Sequence, residues 1–141
     1  MAREQVTIGI MGIDQHENGA IAVSRFLREA QMEVSYAGLF NTPDTLVDKA
    51  LAGEADVIGV SCHSWEFLHY LPELMRRLKD SGRDIPVVVG GSVLTPADRA
   101  RLAELGVAAC FGAGADAEQI VDTIRRLARP GVTRREAEAP R

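Results

Sequence analysis

Val6-Thr7-Ile8-Gly9-Ile10-Met11-Gly12-Ile13-Asp14-Gln15-His16-Glu17-Asn18-Gly19 changes character twice along its length. Val6 to Ile10 is a short, almost wholly apolar run of the kind that fills a strand buried on both faces. Met11 to Gly19 is a loop in which an acid and an imidazole stand two residues apart. Gly19 then opens an amphipathic helix. From Ala20 to Gln31 the positions Ala20, Val23, Leu27 and Ala30 place apolar side chains on one helical face. Strand, loop and helix in this order begin a β-α-β unit, whose loop lies at the carboxyl end of the strand, where open α/β sheets bind ligands.

The same alternation recurs down the chain. Met32 to Tyr36 is short and alternating, as an edge strand would be. Thr42-Pro43 pairs an N-cap residue with a proline in the first turn and starts a helix through about Ala52. Asp56 to Val60 is nearly continuous in apolar character and reads as a central strand. Ser61-Cys62-His63-Ser64-Trp65 leads to the stripe Leu68, Leu71, Leu74 and Leu78; Pro72 either kinks that helix or begins it, and Gly82 caps it. Ile85 to Val89 is the fourth strand. Thr95-Pro96 repeats the cap signature for a helix to about Leu105. Val107 to Phe111 is the fifth strand, and a last helix covers roughly Asp116 to Arg129.

Five such alternations predict an α/β fold: a flavodoxin-like (Rossmann-like) five-stranded parallel sheet with helices on both faces. Its simplest strand order is 2-1-3-4-5, with strands one and three adjacent at the switch point. Residues 1–129 make one domain. From Pro130 the residues are charged, small or proline without periodicity, which predicts a mobile tail over 130–141. The loops Met11–Gly19, Ser61–Ser64, Gly90–Thr95 and Gly112–Ala115 then share one edge. Three of the four carry glycines after the strand, where a backbone can pass close to a ligand.

Composition narrows the function. A chain of 141 residues with 46% apolar and 26% charged content suits one globular domain. A net charge of −4 without a basic block argues against nucleic acid. The amino terminus runs into the first strand without the apolar core of a signal peptide, and no apolar run reaches membrane-spanning length. Cys62 and Cys110 are too few for a disulfide framework, which fits reduced thiols in a cytoplasmic protein.

The loops offer limited chemistry of their own. A neutral His16 would ligate a metal through one nitrogen, with Asp14 holding the other ring N–H. A bare zinc site needs three or four protein ligands, and no second cluster of His, Cys and acid is visible. A single histidine ligand makes sense when the metal arrives already held by a macrocycle. Phosphate-loop and dinucleotide signatures are missing after strand one. Receiver-type chemistry is excluded as well, because no acidic pair follows strand one and no aspartate ends strand three. Ser61 has no His–acid activation that would make it a nucleophile.

Taken together, the loops resemble the cobalamin-binding domain shared by adenosylcobalamin-dependent mutases and methionine synthase. The family pattern is Asp-x-His-x-x-Gly, then Ser-x-Leu, then Gly-Gly. Asp14, His16 and Gly19 match the first part, Ser61 the start of the second and Gly90-Gly91 the third, and Phe111-Gly112-Ala113-Gly114 looks like the Gly-x-Gly turn of acyl-CoA mutases. The resemblance runs from about Val6 to Leu127. It implies that His16 is the lower axial ligand of cobalt, displacing the dimethylbenzimidazole base, and that Asp14 tunes it. Gln15 and Glu17 would flank the ligand beside the cofactor, and Gly19 would open the channel for the nucleotide tail. Ser61 and His63 would meet the displaced base. Gly90, Gly91 and Ser92, with Gly112, Ala113 and Gly114, would let the tail pass close to the backbone.

Two departures stand out. His63 replaces the family leucine, and it either alters tail packing, touches a partner or fills the leucine volume. Gln15, Glu17 and Asn18 replace the Gly, Asp and Arg common in acyl-CoA mutases. Because the chain starts at its first strand, the resemblance leads to the expectation of a separate small subunit of an acyl-CoA mutase, of the methylmalonyl-, isobutyryl- or 2-hydroxyisobutyryl-CoA type. A large barrel subunit would bind the acyl-CoA and enclose the radical of a 1,2 carbon-skeleton shift, so no catalytic residue is expected on this chain. Rival expectations are a glutamate mutase-like small subunit, a stand-alone corrinoid carrier or light sensor, and a flavodoxin-like domain that binds no cobalamin.

Overall fold

Strand and helix alternate five times along the chain, as the apolar periodicity requires. The computed structural model describes residues 3–12, 17–62, 67–91, 94–112 and 114–128. The elements are β1 (Gln5–Met11), α1 (Asn18–Glu29), β2 (Glu33–Asn41), α2 (Pro43–Ala52), β3 (Val57–Ser61), α3 (Phe67–Asp80), β4 (Val87–Gly90), α4 (Pro96–Glu104), β5 (Ala109–Phe111) and α5 (Ala117–Ala128). The sheet has the order β2-β1-β3-β4-β5, and every neighbouring pair is parallel. This is the flavodoxin-like order read from the sequence.

The central strands are apolar on both faces because helices cover both. On one face Val6, Ile8 and Ile10 of β1, Val57 and Val88 pack with Ala20 and Leu27 of α1 and with Ile120, Ile124 and Ala128 of α5. On the other, Ile58, Val60, Val87 and Val89 meet Leu46, Val47 and Ala50 of α2, Leu71, Leu74 and Leu78 of α3, and Leu102 of α4. Each aliphatic side chain of this size taken fully out of water contributes about 1.5–3 kcal/mol before conformational entropy is counted.

Both threonine–proline signatures act as helix starts. The Thr42 hydroxyl accepts the Thr45 N–H at 3.1 Å while the Thr45 hydroxyl accepts the Thr42 N–H at 2.8 Å. Thr95 and Asp98 make the same reciprocal pair, both bonds at 3.1 Å. Pro72 lies inside α3, which begins upstream at Phe67, so the proline is not the helix start. Gly82 takes the left-handed conformation that closes the helix, with φ +78°. Cys62 is buried, Cys110 is partly buried, and neither is joined in a disulfide.

Strand β2 differs from its expected extent. It is the edge strand, but it runs on to Asn41 instead of ending at Tyr36. Alternation breaks at residue 37 because the register shifts there. Ile8 pairs with Tyr36 and Met11 with Asn41, so three steps along β1 face five along β2. Gly38 (φ +79°) and Phe40 (φ +59°) absorb the surplus in left-handed backbone. A bulged strand does not show the period-two pattern by which strands are recognised.

Candidate functional site

The carboxyl ends of β1, β3 and β4 and the inner faces of α1 and α5 enclose a cavity of about 220 Å³. Its existence follows from missing side chains. Gly59 sits in the middle of β3 on the α1/α5 face, where a β-carbon would stand 3.3 Å from Cγ1 of Ile8 and 3.8 Å from Cγ2 of Val88. Gly19, Gly90, Gly91 and Gly112 also line the cavity, so its rim is largely backbone. Ile8, Val23, Val88, Ile120 and Ile124 supply apolar walls, and half-buried Ser61 is the one side-chain hydroxyl among the described lining residues. Among the described residues the lining carries no charged side chain, so the cavity suits an apolar group.

Of the residues expected at the site, Gly19, Ser61, Gly90, Gly91 and Gly112 are brought together in this cavity. Gly114 lies in a second, more polar hollow across Phe111 and Gly112, with Arg99, Gln119 and Asp122. Glu17 stands at the start of α1 but makes no side-chain cap bond. Its carboxylate instead accepts the Tyr36 hydroxyl at 2.8 Å. Burial, helped by that hydrogen bond and by the carboxylate's charge, pushes the Tyr36 phenol up to about 12. Burial likewise raises the Cys110 thiol, against a smaller opposing pull from Arg99. Asp14, Gln15, His16, His63, Ser92 and Ala113 lie outside the described residues, as does the segment from 129 to 141.

Sequence reasoning missed Gly59 as the cavity floor, although a glycine inside an apolar strand run was the available signal. It also missed Ile120 and Ile124, whose helical spacing marks an inward face but not that this face borders a cavity. Tyr36 was read only as the end of a strand.

Fold and cavity together define a doubly wound α/β domain with an apolar cavity at its switch-point edge. The chain belongs to the B12 binding domain family, whose pattern it matches over residues 5–122. It is 34% identical over 123 residues to the 2-hydroxyisobutanoyl-CoA mutase small subunit of Aquincola tertiaricarbonis, covering 87% of this chain and 90% of that one. Identity is again 34% to the pivalyl-CoA mutase small subunit of Xanthobacter autotrophicus, over 87% of this chain and 82% of the relative. Methylmalonyl-CoA mutase of Escherichia coli is 32% identical over 87% of this chain, which spans only 17% of that longer protein. Among solved structures, a cobalamin-binding protein from Desulfitobacterium hafniense superimposes with a TM-score of 0.76 at 20% identity, over 89% of this chain and 59% of that one. The receiver domain of NarL from Mycobacterium tuberculosis gives 0.71 at 16% identity, over 92% and 98%. At such identities the two likenesses show the fold alone. The lining, apolar with glycines at its rim, is compatible with an apolar part of a cobalamin.

Proposed function

We propose that this chain is the cobalamin-binding small subunit of a two-subunit adenosylcobalamin-dependent acyl-CoA mutase, holding the cofactor base-off with His16 as the lower ligand to cobalt. The observation that carries this reading is the apolar, glycine-rimmed cavity, formed by Gly19, Ser61, Gly90, Gly91 and Gly112 of the sequence motifs. Similarity along nearly the whole length of two mutase small subunits supports the same reading.

In this proposal the cavity takes the displaced base. Gly59 leaves room for the base and Ser61 offers its hydroxyl to it. Asp14 orients the His16 ring and raises its basicity. Gln15 and Glu17 flank the ligand, His63 stands beside the base in place of the family leucine, and Ser92, Ala113 and Gly114 extend the path of the tail. When bound, the cofactor supplies the radical that a 1,2 carbon-skeleton rearrangement needs. This chain binds and orients it, while a larger barrel subunit binds the acyl-CoA and excludes water. Among the described residues no helix is long and apolar enough to cross a membrane, and the proposed workplace is the cytoplasm.

The test is an absorbance spectrum of the chain mixed with adenosylcobalamin and desalted, alone and with a mutase large subunit. The expected result is retained cofactor with a base-off/His-on spectrum that is lost in His16→Ala. Turnover of 2-hydroxyisobutyryl-CoA, methylmalonyl-CoA or glutamate by the reconstituted pair then assigns the substrate class. A chain that stays colourless even with the large subunit overturns the proposal.

A further inference from the structure

The loop bearing Asp14 and His16 leaves β1 and enters α1, and both of its described ends are fixed by one strand, β2. At the first end Asn41 brackets Met11. Its side-chain Nδ2 donates to the Ile10 carbonyl at 3.2 Å, and its main-chain carbonyl accepts the Gly12 N–H at 2.9 Å. The same amide donates to the Gly38 carbonyl at 2.8 Å, and Asn41 Oδ1 accepts from Lys49 Nζ at 2.9 Å. Lys49 also reaches the Ala37 carbonyl at 3.0 Å. Asn41 is only 1% exposed. Gly9 clears the space for it, since a β-carbon there would stand 3.2 Å from Asn41 Nδ2 and 2.7 Å from Leu46 Cδ1. At the second end the Tyr36 hydroxyl holds the Glu17 carboxylate, and the Glu17 carbonyl accepts the Ile21 N–H at 2.9 Å to begin α1.

The bulge lets one strand reach both ends. Two surplus residues between Tyr36 and Asn41 carry the β2 chain far enough to turn the Asn41 amide onto Ile10. Phe40 is left 59% exposed in a left-handed conformation, so no burial of its ring accounts for that backbone. Such strain persists only where surrounding contacts over-determine it, and it concentrates beside functional sites. Bulges re-aim side chains in the same places. Simple pairing at a sheet edge needs neither a buried amide nor a left-handed phenylalanine.

We infer that Asn41 and Tyr36 are positioning residues, which fix the two described ends of the β1–α1 connection, Ile10–Gly12 and Glu17, and so support ligation of the cofactor's metal by His16. The inference rests on the proposed ligation by His16. Its test uses the full chain and adenosylcobalamin, comparing Tyr36→Phe and Asn41→Asp with His16→Ala. Asn41→Asp keeps the shape and the Lys49 partner but sets an acceptor against the Ile10 and Gly38 carbonyls. Affinity is read by absorbance titration. Ligation is read, after reduction to the cobalt(II) form, from the nitrogen splitting in electron spin resonance with ¹⁵N-histidine-labelled protein.

Each positioning variant should keep the parent's circular dichroism. It should bind roughly fivefold more weakly, the worth of one hydrogen bond, and show a smaller fraction of doublet-split, histidine-ligated cobalt. If Asn41→Asp fails to fold, Tyr36→Phe decides, since it removes one hydroxyl at the sheet edge. Parental affinity and splitting in Tyr36→Phe, with the doublet lost in His16→Ala, overturn the inference and leave the proposed function standing. A doublet retained in His16→Ala overturns both.

Discussion

The carbonyl oxygen of Cys62 occupies the place where a β-carbon on Gly91 would stand. The contact belongs to a junction of three strands. The Cys62 N–H donates to the Gly90 carbonyl at 2.8 Å, and the Gly91 N–H donates to the Phe111 carbonyl at 3.0 Å. The glycine pair therefore draws the ends of β3, β4 and β5 together beside the cavity.

Gly91→Ala should destabilise the chain, because the obstructing atom is backbone and cannot rotate away. The expected loss is about 1–3 kcal/mol, read as a lower urea midpoint at unchanged slope. An unaltered midpoint would show that the strand ends separate at no cost.

Gly59→Val addresses the cavity without breaking a strand. Valine suits a buried β position, and a β-carbon at Gly59 would press only on the flexible Ile8 side chain, at 3.3 Å, with Val88 Cγ2 at 3.8 Å and the Thr7 carbonyl at 3.9 Å in ordinary contact. The variant should fold cooperatively, yet its side chain fills the floor of the proposed base site. Adenosylcobalamin affinity measured by absorbance titration should fall at least tenfold, or about 1.4 kcal/mol. Parental affinity would place the base elsewhere.

Tyr36 gives a pH signature. Its phenol is raised from 10.0 to about 12 in the folded chain, first by burial and then by Glu17. The folded state thus holds this proton more tightly than the unfolded state does. Its contribution is present in full below pH 10 and is lost as the pH rises from 10 towards 12. The stability difference between parent and Tyr36→Phe should be flat up to pH 10 and shrink above it. Phenolate absorbance should show the parent's Tyr36 ionising later than an ordinary tyrosine. A difference that stayed flat through pH 12 would mean that the hydroxyl is not held as described.

Much of this protein was written locally. Alternating apolar runs set five strands and five helices, the parallel order followed from them, and Thr42-Pro43 and Thr95-Pro96 marked two helix starts that form as their chemistry dictates. These features depend on residues a few positions apart, so a window of sequence contains their cause. The glycines after β4 and β5 likewise announced a backbone-lined edge, and Gly90, Gly91 and Gly112 do line the cavity.

Only the tertiary structure decided the rest. Phe40 adopts a backbone conformation that its own side chain disfavours, held by Asn41, whose amide reaches Ile10 at a separation of 31 residues. Gly59 becomes a cavity floor because Ile8, Val88 and two helices from opposite ends of the chain surround it without filling the gap. Tyr36 and Glu17 meet across 19 residues, and neither carries a local sign of the other. Periodicity records which way a residue faces. What stands opposite it is fixed only when distant segments pack, and there the end of β2 gains its bulge and the cavity its shape.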